Sequence, residues 1–540
     1  MFDVAIVGFG PCGAVAAGLL GGYGVKTWVC DKSTEVYDKP RAFALDHEIM
    51  RVFQQLTVHE EVLRYAEPFT PSEFYGVDGQ LIKRFSSIEP PWPMAFAPAM
   101  VFNQPQTERI LREHVSTLPG VEVELGCEAT GLSQADASAT LQVRRADGSS
   151  GEVRARYLIA CDGASSALRG WAGIHLEDLG FDQPWLVVDL QVSDAGAAQL
   201  PQVSMQYCEP ARPTTYLVGP RNHRRWEISL NEGEDPRAVA TPEGTWKLLE
   251  RWITPRDATL WRQASYRFHA LVADHWRAGR VFVAGDAAHQ QPPFLGQGMC
   301  QGVRDVANLA WKLKAVLQAG AADALLDTYG IERKGHVKAL TSRIKNIGLL
   351  IGERDPALAR ERDAKLLAEC GGVVKSVPRH DVQPALSQGL LDTDTDANVE
   401  PKAGRPVGGL FPQPWLRTAG GEQRMDDMAG RGWRLMLGEE APAALVNRAE
   451  QAARDNPQWR VIAPGLNDVH GVARAWFARH ACSAAIVRPD HYVYGIASSA
   501  QALQRQLDAL KKKLFSPIPD TSNTNEGDKH ETQPLTSGIA

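Results

Sequence analysis

The sequence predicts an α/β fold: a Rossmann-like dinucleotide-binding domain, an antiparallel-sheet domain interleaved with it, and a smaller C-terminal α/β unit. Three observations predict this. The chain opens on a strand, a glycine turn, a helix and a second strand. Two later buried strands, ending at Cys161 and Ala284, run straight into acid- and glycine-bearing loops. Between them, residues 183–275 alternate or run apolar at strand length.

Phe2 to Val7 reads FDVAIV, a short apolar run suited to a buried strand. Gly8-Phe9-Gly10-Pro11-Cys12-Gly13 follows, then the Ala- and Leu-rich helical segment Ala14 to Leu20, then a second apolar run, Val25 to Cys30, ending in Asp31. This is a dinucleotide-binding βαβ pattern. Gly8 permits the tight turn, Gly10 lets backbone approach a pyrophosphate, and Gly13 lets helix and strand pack closely. The helix N-terminus offers free N–H groups to phosphates. Asp31, 18 residues beyond Gly13, is placed to accept from a ribose.

The 540 residues exceed one ordinary core, so two or three domains are expected. A net charge of −6 and a pI near 6.2 argue against a nucleic-acid or anionic-membrane surface. No apolar run approaches the ~18 residues of a spanning helix. With a strand read from residue 2, no signal peptide is expected. Eight scattered cysteines without a CxxC suit a reducing cytoplasm, and neither they nor the histidines show metal-ligand spacing, so no metal is expected. Nothing in the pattern selects an oligomeric state.

Taken in order, Arg41 follows Pro40 in a loop and is either a surface cation or a contact to a phosphate or substrate acid. Gln104 precedes an amphipathic helix at Thr107 to Leu118 and is either a ligand contact or a helix-entry residue. Val121 to Leu125, Ala139 to Arg145 and Gly151 to Ala155 read as antiparallel strands, and Tyr157 to Cys161 as a separate buried strand. Asp162-Gly163 then sits where open α/β sheets bind ligands, or forms an Asx-type turn. In the 183–275 sheet, Tyr216, Arg225 and Trp226 are candidates to line a substrate pocket. Val281 to Ala284 leads into Gly285-Asp286-Ala287-Ala288-His289 and on through Pro292, Pro293, Phe294, Gly296 and Gly298 to a helix over Gly302 to Leu317. This is a second ligand cradle, with His289 either a base or, more simply, loop packing. The expected domains are 1–182 and 276–372 for the dinucleotide-binding part with a helical segment, 183–275 for the sheet, 373–404 as linker, 405–515 as the C-terminal unit and 516–540 as a disordered tail.

Three motifs in this order, Gly8-x-Gly10-x-x-Gly13, Asp162-Gly163-x-x-Ser166-x-x-Arg169 and Gly285-Asp286 with Gly296-x-Gly298, resemble the class A FAD-dependent aromatic monooxygenases. Finer features, Pro40 to Glu48, Gly298-Met299-Cys300-Gln301-Gly302 and Arg488-Pro489-Asp490, are similar to the 3-(3-hydroxyphenyl)propionate hydroxylase group, over most of the chain up to about residue 500. Cys300 stands where the wider family commonly has asparagine. The resemblance implies FAD on Gly8, Gly10, Gly13, Asp31, Arg41, Gln104, Asp162, Gly285, Asp286, Gly298 and Met299, with Pro293, Phe294 and Gly298 shaping the cavity beside the isoalloxazine. It implies an NADH- or NADPH-consuming hydroxylase of aromatic catabolism that activates O2 as a flavin C4a-hydroperoxide. The substrate would be a phenolic acid such as 3-(3-hydroxyphenyl)propionate or 3-hydroxycinnamate, or another phenolic or heteroaromatic ring. The C-terminal unit would be a thioredoxin-like domain without active cysteines.

Overall fold

The computed structural model describes residues 1–392 and 406–515. The expected linker from residue 393 onward and the expected tail at 516–540 lie outside those residues. The first sheet is parallel at its centre, with strands in the order Val281–Val283, Ser150–Ala160, Phe2–Val7, Thr27–Asp31 and Val121–Leu125. In sequence rank this is 5-4-1-2-3. The order reverses beside Phe2–Val7, and the switch point opens a crevice at the carboxyl ends of the strands. Helix Pro11–Gly22 packs on this sheet between helices Gln104–Ser116 and Gly298–Gln318. Its residues Gly13 to Leu20 are all buried, which is why it is apolar on every face.

Two strands differ from expectation. Val121–Leu125 pairs parallel with Thr27–Asp31. It lies at the sheet edge, so one side is solvated, and its alternation imitates an antiparallel strand. Ser150–Ala160 is one strand of 11 residues, not two. Its first half pairs antiparallel with Ser138–Arg144 and alternates buried with exposed. Its second half pairs parallel with Phe2–Val7 and is buried almost throughout. The period changes inside one continuous strand.

The second sheet has nine strands and extends well beyond 183–275. Five come from that region: Leu176–Val192, Ser204–Tyr207, Thr214–Val218, His223–Ser229 and Ala258–Ala273. Four come from outside it. His289–Gln290 closes one edge, and Ser72–Tyr75, Leu81–Ser86 and Ser376–Pro378 complete the other. The last belongs to the segment expected as linker; three residues are too few for a period-two signal.

The C-terminal unit carries a four-stranded sheet in the order Trp459–Ile462, Trp433–Leu437, Ala484–Val487, Val493–Ala497, with helices Ala443–Asp455, Val472–Arg479 and Ala500–Phe515. The first pair is parallel and the others antiparallel, a thioredoxin-like arrangement. It docks through buried charges. Arg488 Nη2 reaches Glu332 Oε2 and Asp490 Oδ2, both at 2.7 Å. Arg51 pairs with Asp426 at 2.8 Å, and the Tyr492 hydroxyl donates to Glu48 Oε1 at 2.7 Å.

Candidate active site

One cleft of roughly 860 Å³ runs from the opening glycine turn to the nine-stranded sheet. At its first end the backbone leaves no room for side chains. A Cβ on Gly8 would lie 2.2 Å from the Cys161 carbonyl oxygen, and one on Gly13 would lie 1.9 Å from the Gly8 oxygen. Gly8 also takes a φ of +99°, which disfavours any other residue. Gly10 caps helix Pro11–Gly22 without a side-chain acceptor, so the first N–H groups face the cleft. Asp31 lines the same end. Its Oδ2 accepts from Phe9 N and its Oδ1 from Ser33 N, both at 2.8 Å.

Asp162 lines the cleft. Its carboxylate accepts from Ser166 Oγ at 2.5 Å and Leu168 N at 3.2 Å, four and six residues on, so it braces the start of helix Ala167–Trp171 and does not close an Asx-type turn. Arg169 reaches the Ala164 and Ala287 carbonyls at 3.1 Å, fastening the Asp-Gly loop to the Gly-Asp loop. The latter loop is held from behind by Asp305. That buried carboxylate accepts from Gly285 N at 3.0 Å and Arg333 Nε at 2.9 Å, and bonds His289 Nε2 at 2.8 Å. His289 is therefore a loop fastener, stacked on Trp276. The neighbouring Arg333 and His289 hold the Asp305 carboxyl below the usual range against the cost of burial. Asp286 projects into the cleft, where the crowding walls raise its carboxyl above the usual range. Helix Gly298–Gln318 starts at the cleft, and its first residues, Gly298 and Met299, line it.

Gln104 fixes the Arg41 loop: its Oε1 accepts from Arg41 N and Ala42 N, both at 2.7 Å. Arg225 grips the same loop, donating to the Arg41 and Pro40 carbonyls at 3.0 Å. Arg225 is itself neutralised by buried Asp189, at 2.7 and 3.0 Å. Asp189 was the missed partner, and a lone acid inside the apolar run Trp185 to Val192 was its only signal.

The far wall brings together Phe43, Phe69, Leu217, Glu227, Pro293 and Phe294. Phe294 packs edge-on against Phe181, Trp185 and Phe268, with centroids 5.3 to 6.0 Å apart. Tyr216 and Trp226 are not there. They face the opposite side of the sheet, 4.9 Å apart in a separate core. Alternation along Thr214–Val218 and His223–Ser229 puts Thr215, Leu217, Arg225 and Glu227 toward the cleft instead.

The cleft fits a long dinucleotide. Two helix N-termini, a glycine cradle that a Cβ would fill, and the carboxylates of Asp31 and Asp286 open on one continuous space. The FAD binding domain family matches residues 1–344, and the HcaD C-terminal domain family matches residues 408–513. The chain belongs to the class A flavoprotein monooxygenases. It is 37% identical over 535 residues to a probable NADH-specific resorcinol 4-hydroxylase of Rhodococcus jostii, covering 96% of each chain. It is 34% identical over 520 residues to a 3-(3-hydroxy-phenyl)propionate/3-hydroxycinnamic acid hydroxylase of Burkholderia cenocepacia, covering 91% of this chain and 93% of that one. The flavin-dependent monooxygenase PieE shares the fold, at 22% identity and a TM-score of 0.80 over 96% of this chain and 99% of that one.

As a member of this family the chain is an FAD-dependent, NAD(P)H-consuming aromatic hydroxylase. FAD, when bound, takes a hydride from the nicotinamide and activates oxygen for transfer to the ring. The protein's part is binding, orientation and exclusion of water. In this monooxygenase the N-terminus of helix Gly298–Gln318, which carries a partial positive charge, opens on the cleft. The aromatic cluster around Phe294 makes the far wall apolar. No described group of three or more His, Cys, Asp or Glu side chains could hold a metal ion.

Proposed function

We propose that this hydroxylase acts on a phenolic acid of the 3-(3-hydroxyphenyl)propionate or 3-hydroxycinnamate type, using NADH and O2. The observation that carries the acid is Arg379. Its guanidinium is half-buried beside the cleft, donates to Ser72 Oγ at 3.2 Å and the Leu295 carbonyl at 3.1 Å, and lies 4.2 Å above the Phe69 ring. No carboxylate pairs with it among the described residues. Burial lowers its pKa to about 10, which leaves it charged at neutral pH. A half-buried cation on a cleft wall, without a counter-anion of its own, invites one from the ligand. In this reading Gly8, Gly10, Gly13 and Asp31 hold the AMP end of FAD, and Arg41, Gln104 and Asp162 the middle. Gly285, Asp286, Gly298 and Met299 hold the flavin end, with Pro293 and Phe294 shaping the ring cavity. A resorcinol-type substrate is the second reading, favoured by the Rhodococcus relative. The eight free cysteines support a reducing, cytoplasmic setting. No described helix is long and apolar enough to cross a membrane.

The test is mass spectrometry of products from hydroxyphenylpropionate, hydroxycinnamate, hydroxybenzoate and resorcinol, with NADH and NADPH. Coupled hydroxylation of the acids, with a KM that rises about tenfold or more in Arg379→Met while resorcinol is unaffected, supports the reading. Hydroxylation of resorcinol alone, or loss of flavin from Arg379→Met with an unchanged KM for the acids, overturns it.

A further inference from the structure

Glu227 stands out on the cleft wall. It is 2% exposed, lies on strand His223–Ser229 with every neighbour buried, and its Oε2 has no hydrogen-bond partner among the described residues. The cations around it are committed elsewhere. Arg225, on its own strand, is held by Asp189 of strand Leu176–Val192. Arg262, of strand Ala258–Ala273, donates to the Pro40 carbonyl at 2.7 Å and to the Tyr266 hydroxyl. Strand Thr214–Val218 presents no charge, and its Thr215 hydroxyl is spent on Gln206 Oε1 at 2.5 Å. The same cleft is also lined by Arg41, Arg379 and the carboxylate of Asp286, with Asp31, Lys32, Glu35, Glu108, Arg112, Glu128 and Asp162 along the rest of it. Desolvation, with Asp189 adding to it and Arg225 and Arg262 opposing, pushes the Glu227 carboxyl up to about 7.

An unpaired buried carboxyl is costly unless a ligand satisfies it. Resting on the reading of this cleft as the hydroxylation site, we propose that Glu227 binds the ring hydroxyl of the phenolic substrate and accepts its proton. The O–H bond breaks, the proton passes to the Glu227 carboxylate, and the electron pair stays on the phenolate oxygen. From there it conjugates into the ring and raises nucleophilicity ortho and para to that oxygen. No other reactant is needed. The near-neutral carboxyl suits the role, because a base poised near working pH transfers most efficiently.

The experiment uses the flavin-loaded enzyme without NADH, titrated with 4-nitrophenol, whose phenol and phenolate absorb differently, and with 4-nitroanisole, which has no proton to give. In the unmodified enzyme 4-nitrophenol should bind as phenolate and difference infrared should show a protonated carboxyl gained. 4-Nitroanisole should give neither signal. In Glu227→Gln the infrared gain should vanish, the phenolate fraction at neutral pH should fall about tenfold, and kcat/KM should drop about a hundredfold with its acid limb lost. Should Glu227→Gln fail to fold or retain flavin, the infrared comparison on the unmodified enzyme stands alone. No carboxyl gain there, or a Glu227→Gln enzyme with an unchanged phenolate fraction and acid limb, overturns the proposal. If the unmodified enzyme hydroxylates no phenol, the functional reading fails. If it hydroxylates phenols without proton transfer to a carboxyl, only the role of Glu227 fails.

Discussion

Replacing Asp305 by asparagine should loosen the flavin end of the cleft before it unfolds the protein. Asp305 is fully buried and takes bonds from Gly285 N, His289 Nε2 and Arg333 Nε. Asparagine keeps one acceptor oxygen and turns its other arm into a donor facing donors. Arg333 would retain only Gln301, through Oε1 at 2.9 Å and the carbonyl at 3.4 Å. Stranding one member of a buried ion pair costs about 3–5 kcal/mol. A Gly285 or His289 N–H left without an acceptor adds about 1–3 kcal/mol. The fall in Tm should be on the order of 10 °C. Thermal unfolding of the flavin-loaded enzyme, followed by circular dichroism and flavin fluorescence together, reads both effects. Flavin should be released below the temperature at which helix content is lost, because the 285–289 loop is the part that Asp305 restrains. A double variant, Asp305→Leu with Arg333→Met, should recover only the ion-pair part of the loss, since it leaves no buried charge but still strands Gly285 N and His289 Nε2. An Asp305→Asn enzyme that melts within about 2 °C of the parent, with flavin release and unfolding coincident, would refute the reasoning.

Asp286→Ala should purify largely without flavin yet melt close to the parent apoprotein, because Asp286 projects into the cleft and supports nothing behind it; full flavin occupancy would sink its assigned role. Acid should destabilise the chain between about pH 5 and pH 2. Arg225 and His223 hold Asp189 at about 2, and Arg488 and Lys312 hold Glu332 at about 2, each against the cost of burial. Both depressed carboxylates contribute stability that is present above their unfolded values and lost as pH falls through the folded ones, on the order of 2–3 kcal/mol each. Chemical denaturation at a series of pH values checks this, and a flat profile over that window contradicts it.

The three glycine-and-acid motifs were legible because each is local: a turn, a close approach and a helix start are set by residues within a dozen positions. Asp305, Arg379 and Glu227 were not, since each matters only through partners far along the chain. Asp305 reads as one polar residue on a long amphipathic helix, and Arg379 sits in a stretch that looked like linker. On the middle sheet the composition pointed to the right strands and the wrong face. Tyr216 and Trp226 drew attention as large aromatics, but a period of two sends them away from Thr215 and Glu227. Arg225 faces the cleft, yet its charge is already answered by Asp189.

The nine-stranded sheet is stitched from four separate stretches of chain, with His289–Gln290 at one border and Ser376–Pro378 at the other. No contiguous cassette carries the sheet face that lines the cleft. A lineage of such enzymes could not acquire a new substrate by exchanging that layer as a block, because its seams run through the cofactor-holding half. Diversification would proceed by point replacement at inward-facing positions such as 215, 217, 227 and 379. This is a route that leaves overall chain length and connectivity almost unaltered while the chemistry of the accepted ring drifts.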